Sequence, residues 1–122
     1  MAITTRKFLD ILRRSKLIDD APLKKALRLC VEENGGALPN DAKQLADFLI
    51  AQNVITKWQS KKLLDKKYKG FFLGKYKLLG QIGVGGMSTV YLAEHTLMKR
   101  LRAIKVLPRN RVDDSSYLER FY

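Results

Sequence analysis

The glycines at positions 83, 85 and 86 and the lysine at position 105 are the residues of this chain whose types and spacing suggest a chemistry. Glycine lacks the Cβ atom that keeps a backbone away from phosphate oxygens, and it tolerates the positive φ of a tight turn. A lysine inside the otherwise apolar run 103–107 places a charge within a strand. These features predict a glycine-rich loop over a polyphosphate and a lysine that neutralises it.

Three short strands would position these residues. Apolar residues alternate through 76–81 and 89–93 on either side of the glycines, and 103–107 follows after a polar connection. Two such runs joined by a glycine-rich turn predict a hairpin, and the third run predicts a neighbouring strand. We therefore expect a three-stranded antiparallel sheet.

Alternation along the third strand assigns its side chains to two faces. Ala103 and Lys105 share one face, and Arg102 and Ile104 share the other. Ala103 is small enough to lie against a flat base, and Val90 would cover the base from the second strand. We expect Arg102 to affect packing more than ligand binding.

The residues 83–90, GVGGMSTV, match the GxGxxGxV loop of protein kinases. They run into the segment VYLAEH at 90–95, and the AIK segment that ends at Lys105 follows. The chain resembles the start of a protein kinase catalytic domain, and most resembles the bacterial serine/threonine protein kinases. Loop, strand and lysine in this order are more specific than a glycine loop alone. Two departures are Ser88 in place of the third glycine and Arg102 in place of an apolar residue.

The resemblance implies that the loop covers the phosphates of ATP and that Lys105 holds the α and β phosphates, with Mg²⁺ in the intact kinase. It also implies a serine/threonine protein substrate. The residues expected to contact the nucleotide are Ile82, Gly83, Val84, Gly85, Gly86, Met87, Ser88, Val90, Ala103 and Lys105.

Catalysis in that family needs an HRD loop and a DFG segment. Neither motif occurs in the 122 residues, and the single histidine is His95. By resemblance, the glutamate that pairs with the lysine would fall two residues past Tyr122. We therefore expect an N-terminal piece of a kinase that has no catalytic or metal-binding residue of its own, holds nucleotide weakly and transfers no phosphoryl group by itself.

The N-terminal half predicts helices. Amphipathic patterns fit four short helices between residues 5 and 70, with Phe8, Phe48 and Trp58 central to a small bundle. Thr56 and Gln59 have the spacing of a capping box. The expected fold class is α+β: a helical accessory domain at 1–67, a linker at 68–75, and a partial kinase N-lobe at 76–122 that ends in the start of a helix near Ser116.

The predicted linker contains three apolar residues, 71–73, between Gly70 and Gly74. They should not remain in water, and we expect them to pack on the hairpin or between the two parts. Residues 54–59 and 70–76 also resemble a leader region of some multidomain bacterial kinases. That resemblance implies an accessory module with its own protein partner.

Composition and charge indicate which partners the chain could bind and where in the cell we expect it. The chain carries 24 basic and 12 acidic residues, a net charge of +12, and the densest basic run is 57–77. A solvated helix face explains such a run, and acidic lipid, nucleic acid or an acidic protein are the alternatives. We expect no specific nucleic acid because no nucleic-acid motif is present. The N-terminus is too charged for a signal peptide, so we expect a cytoplasmic protein or the cytoplasmic portion of a longer one.

The single cysteine, Cys30, excludes an intramolecular disulfide and falls on the apolar face of a predicted helix, so we expect a buried thiol.

A second hypothesis gives the chain a binding function in place of a catalytic one. The chain could be a non-catalytic interaction module whose helices bind a protein, an acidic membrane surface or nucleic acid. An isolated three-stranded sheet would expose an apolar face and an unpaired edge. Either residues 1–75 cover that face, or two copies of the chain pair through it, or the sheet is poorly ordered; of these we favour a homo-oligomer.

Overall fold

The computed structural model describes residues 3–85 and 88–107 and divides the chain into two units, Met1–Phe71 and Phe72–Tyr122. The helices belong to the first unit and the strands to the second. Our expectations for Gly86, for Met87 and for the segment 108–122, including the helix near Ser116, lie outside the described residues.

Four helices form the first unit, in agreement with the sequence prediction: α1 (Thr5–Ser15), α2 (Asp20–Glu33), α3 (Ala42–Ala51) and α4 (Lys57–Leu64). The predicted capping box is present, because the amide of Gln59 donates to Thr56 Oγ1 at 3.1 Å and the amide of Thr56 donates to Gln59 Oε1 at 2.9 Å. The hydroxyl of Thr5 donates to the carbonyl of Pro39 at 2.6 Å and so ties the start of α1 to the start of α3. None of the helices in the described ranges is long and apolar enough to cross a membrane.

One apolar core holds the four helices together. Its largest fully buried side chains in the helices are Phe8, Leu12, Leu23, Leu45, Leu49 and Leu63. Of the three aromatic residues that we expected at the centre, only Phe8 is fully buried. Phe48 and Trp58 are partly buried and pack against the core from its edge.

Phe71 completes this core although it lies in the segment that we predicted as a linker. It is 1% exposed, and its ring meets the ring of Trp58 edge to face, with centroids 5.9 Å apart. A buried phenylalanine contributes about 3–5 kcal/mol through its packing. Residues 68–75 therefore supply a core residue to the helical unit.

The second unit is an antiparallel sheet of four strands, where we had expected three. The strands are β1 (Phe72–Leu73), β2 (Tyr76–Val84), β3 (Thr89–His95) and β4 (Leu101–Val106), in the order β1-β2-β3-β4. The additional strand exists because Gly74 adopts a φ of +57°, which lets the chain turn back so that Leu73 pairs with Tyr76. A strand of two residues is too short for an alternation pattern to detect.

The sheet has one buried set of side chains. Leu78, Ala93 and Ile104 are its buried residues, and the register places them on one face: Leu78 pairs with Ala93, and Ile104 pairs with Tyr91. The side chains that alternate with them point to the opposite face.

We predict that Phe71→Ala lowers the free energy of unfolding of the helical unit by about 3–5 kcal/mol, because it empties a fully packed position. Phe72→Ala is the matched control: Phe72 is the next residue but is 36% exposed, so its truncation should lower the free energy by about 1 kcal/mol or less. Urea unfolding followed by the fluorescence of Trp58, the single tryptophan, measures both. Equal losses in the two variants would contradict the placement of Phe71 in the core.

Candidate functional site

The strand register brings three of the predicted nucleotide-contacting residues, Gly83, Val90 and Lys105, onto one face of the sheet. Gly83 pairs with Val90, and Val90 pairs with Lys105 on its other side. Directly paired residues share a face, so these three form a row across β2, β3 and β4. With strands about 4.8 Å apart, the Cα atoms of Gly83 and Lys105 lie about 10 Å from each other. Ala103 lies on the same face, paired with Leu92.

On β4, this face of the sheet is exposed to solvent. Ala103 and Lys105 are exposed, whereas Ile104 between them is 0% exposed. Arg102 pairs with Ala93 and so lies on the face opposite Lys105. The row that carries the glycine and the lysine therefore faces outward from the packed side of the sheet.

The ammonium of Lys105 is available for an external anion. The ion pairs found within residues 3–85 and 88–107 all lie in the helices, and none involves Lys105. A strand lysine with no internal carboxylate partner can donate its hydrogen bonds to solvent or to a ligand.

Gly83 is not required by the fold itself. A Cβ atom built on Gly83 would meet nothing within 4 Å. Its φ also lies outside the positive range, as does that of Gly85, so the positive φ that we had expected of these glycines is not what they provide. An outside molecule that approaches the backbone would explain the missing side chain at position 83.

A hydrogen bond joins the two described ends of the loop after β2. The amide of Gly85 donates to the carbonyl of Ser88 at 2.8 Å. A Cβ atom on Gly85 would lie 3.7 Å from Ser88 Oγ, which is ordinary contact. Ser88 is thus compatible with the turn at the position where the kinase pattern has glycine.

The remaining candidates in the loop are not all on the site face. Ile82 and Val84 are 58% and 69% exposed. Val84 pairs with Thr89, whose partner on β4 is Val106, and so its side chain lies on the face opposite Gly83. A residue that we did not select, Leu92, lies on the site face opposite Ala103. Its two-residue spacing from Val90 was the signal that could have identified it.

The single histidine has a structural role in the turn between β3 and β4. His95 Nδ1 accepts hydrogen bonds from the amides of Leu97 at 3.2 Å and Met98 at 3.0 Å, and its ring meets that of Tyr76 edge to face at 5.2 Å. Within the described ranges, no group of three His, Cys, Asp or Glu residues could hold a metal ion.

Cys30 is buried on α2, as predicted. Burial raises the pKa of its thiol, and the nearby carboxylate of Glu33 raises that pKa further. A protonated and enclosed thiol is a poor nucleophile. We assign it no chemistry.

Comparison with known proteins finds partial similarity to a kinase. Serine/threonine-protein kinase PrkC of Bacillus subtilis (strain 168) is 44% identical over 48 residues. The matched stretch covers 39% of this chain, which spans only 7% of the length of PrkC. No family model matches the chain, and no solved structure matches it. The similarity is thus to a kinase over a limited region.

We predict that Gly83→Ala leaves the stability of the sheet unchanged or raises it by up to about 1 kcal/mol, because the new methyl group meets open space and the unfolded chain loses freedom. Ala93→Val is the control: it enlarges a fully buried small residue on β3 and should destabilise the sheet by about 1–3 kcal/mol. Amide hydrogen exchange of β3 and β4 measures both changes. A loss of protection in Gly83→Ala as large as in Ala93→Val would show that the fold itself needs the glycine.

We predict that Cys30 reacts slowly with a disulfide reagent at neutral pH until the protein is unfolded. Because its pKa is raised in the folded state, its contribution to stability is complete below the pKa of the unfolded thiol. That contribution is lost as the pH rises through the folded-state pKa, by at most about 1.4 kcal/mol per pH unit. Urea unfolding at a series of alkaline pH values should show this slope in the natural protein and a smaller one in Cys30→Ala. Identical slopes would contradict the raised pKa.

Proposed function

We propose that residues 72–107 are nucleotide-binding strands of a serine/threonine protein kinase that binds ATP with Mg²⁺ and phosphorylates protein substrates. The observation that carries the proposal is the row Gly83, Val90 and Lys105 across three strands on an exposed face. The partial similarity to PrkC supports the same class of protein.

In this proposal, Lys105 neutralises the phosphates, since its ammonium is exposed and without a carboxylate partner in the described residues. Val90 and Ala103 enclose the adenine, because both are small or branched apolar side chains on the same face as the lysine. Mg²⁺ would supply further charge neutralisation at the phosphates. We assign no catalytic residue and no metal ligand to these 122 residues.

The loop acts through close approach more than through donated hydrogen bonds. The amide hydrogen of Gly85 is already donated to Ser88, so it is not free for a phosphate while the turn is closed. Gly83 and Gly85 instead let the main chain come near the ligand. We propose the same covering role for Ile82, Val84, Gly86, Met87 and Ser88 through their backbone.

A lysine-acylating ATP acyl phosphate tests this assignment. Such a reagent transfers its acyl group to a lysine held beside the bound phosphates. We predict that Lys105 is labelled faster than the other lysines of the chain, and that excess Mg–ATP suppresses this labelling alone. Peptide mass spectrometry identifies the labelled residues.

Arg102→Lys supplies the control, because it places a new lysine three residues from Lys105 on the opposite face of the sheet. That introduced lysine should be labelled only at the rate of an exposed lysine, with no protection by ATP. Equal, ATP-insensitive labelling at positions 102 and 105 would argue against a nucleotide site on this face.

A further inference from the structure

A groove between α3 and α4 has the composition of a protein-binding site. Its apolar walls are Ile50 and Leu64, each half-buried. Ser60 also lines the groove and is 4% exposed.

The rim of the groove is positively charged on the α4 side. Lys57 and Lys61 lie one turn apart on α4 and are exposed, and no carboxylate within the described ranges pairs with either. The α3 side carries Lys43 and Asp47, whose ion pair at 3.0 Å neutralises both. Asp65 lies at the end of α4 and is the one acidic residue of the lining outside that pair. Counting these charges leaves the groove with a net positive rim.

Among the described residues, the lysines of α4 form no ion pair, which distinguishes this helix from the other three. Each of α1, α2 and α3 carries an ion pair between residues four apart, which α4 does not. Lys57 also occupies the first position of α4, where the helix dipole favours an acidic residue. A locally unfavourable charge without an internal partner indicates a role outside the folding of the helix.

The aromatic residues nearby argue against nucleic acid as the occupant. The ring of Trp58 lies edge to face with Phe71 and beneath the ammonium of Lys62 at 5.1 Å. The ring of Tyr68 has Arg14 at 5.5 Å and Lys69 at 5.7 Å. Rings already engaged in this way are poor stacking platforms for bases.

The apolar surface argues against a membrane. Among the described residues of the helical unit, Leu29 on α2 is the exposed large apolar side chain. Insertion into a bilayer needs several protruding apolar side chains on the basic face. The apolar atoms of Ile50 and Leu64 instead line a concavity, which suits an inserted side chain.

We propose that the groove between α3 and α4 binds an acidic segment of a partner protein, with an apolar side chain between Ile50 and Leu64 and carboxylates against Lys57 and Lys61. This site lies in the helical unit and does not depend on the nucleotide site.

Selection of a random linear peptide library displayed on phage, with the whole 122-residue protein as bait at about 150 mM salt, tests the proposal. We expect the selected peptides to combine Asp or Glu with a Leu, Ile or Phe. A synthetic selected peptide should shift the methyl resonances of Ile50 and Leu64 and bind with an affinity that fluorescence anisotropy can measure.

Charge reversal then separates the groove from general electrostatics. The double variant Lys57→Glu and Lys61→Glu should weaken binding by about tenfold or more. The control Lys7→Glu and Lys25→Glu changes the net charge equally at exposed positions of α1 and α2 and should change binding by less than about twofold. Lys57→Glu also removes an unfavourable charge at the start of α4, so the fold should be retained.

Three results would overturn the proposal. One is a selection that enriches no acidic and apolar peptides. Another is an equal loss of binding in the two double variants. The third is that no selected peptide binds the groove while an oligo-dT strand or vesicles containing phosphatidylserine bind and lose affinity only in the Lys57 and Lys61 variant, which would assign the groove rim to a polyanion.

Discussion

Ile104 fixes the register of β4, and with it the face on which Lys105 lies. A slip of one residue against β3 would expose Ile104, at a loss of about 2–3 kcal/mol, and would turn the ammonium of Lys105 toward the packed side of the sheet. Burying an unpaired charge there would cost several kcal/mol more. The burial of Ile104 on one face of the sheet therefore determines that Lys105 lies on the other face.

The same register places the glycine and the lysine of the proposed nucleotide site on one face of the sheet, although 22 residues separate them in sequence (105 − 83). Val90 lies between them in space and pairs with both. In the proposed site, the role of Gly83 is to leave out a side chain at a position where the fold would accept one. Lys105 contributes a charge that no carboxylate among the described residues offsets. In the helical unit, Lys57 and Lys61 of the α3–α4 groove are likewise charged groups that no carboxylate among the described residues pairs with.

Periodicity predicted the parts of the fold that rest on many side chains. The four helices and the strands around the glycines follow from apolar spacing, and the face assignment of Ala103 and Lys105 follows from alternation. The short strand β1 could not be found in this way, because it depends on the left-handed conformation of Gly74 and on only two paired residues. The burial of Phe71 could not be predicted for a related reason: a single buried side chain after a helix forms no periodic pattern. The α3–α4 groove needed the structure, since its lining comes from residues on two helices whose packing the sequence pattern does not determine.

Intermolecular NOEs between ATP and the isotopically labelled 122-residue protein test the central claim most directly. The account predicts contacts from adenine protons to the methyl groups of Val90 and Ala103 in the presence of millimolar Mg–ATP, with none to Ile104. Contacts to Ile104 in place of Val90 and Ala103, or contacts confined to the lysines of the helical unit, would contradict it.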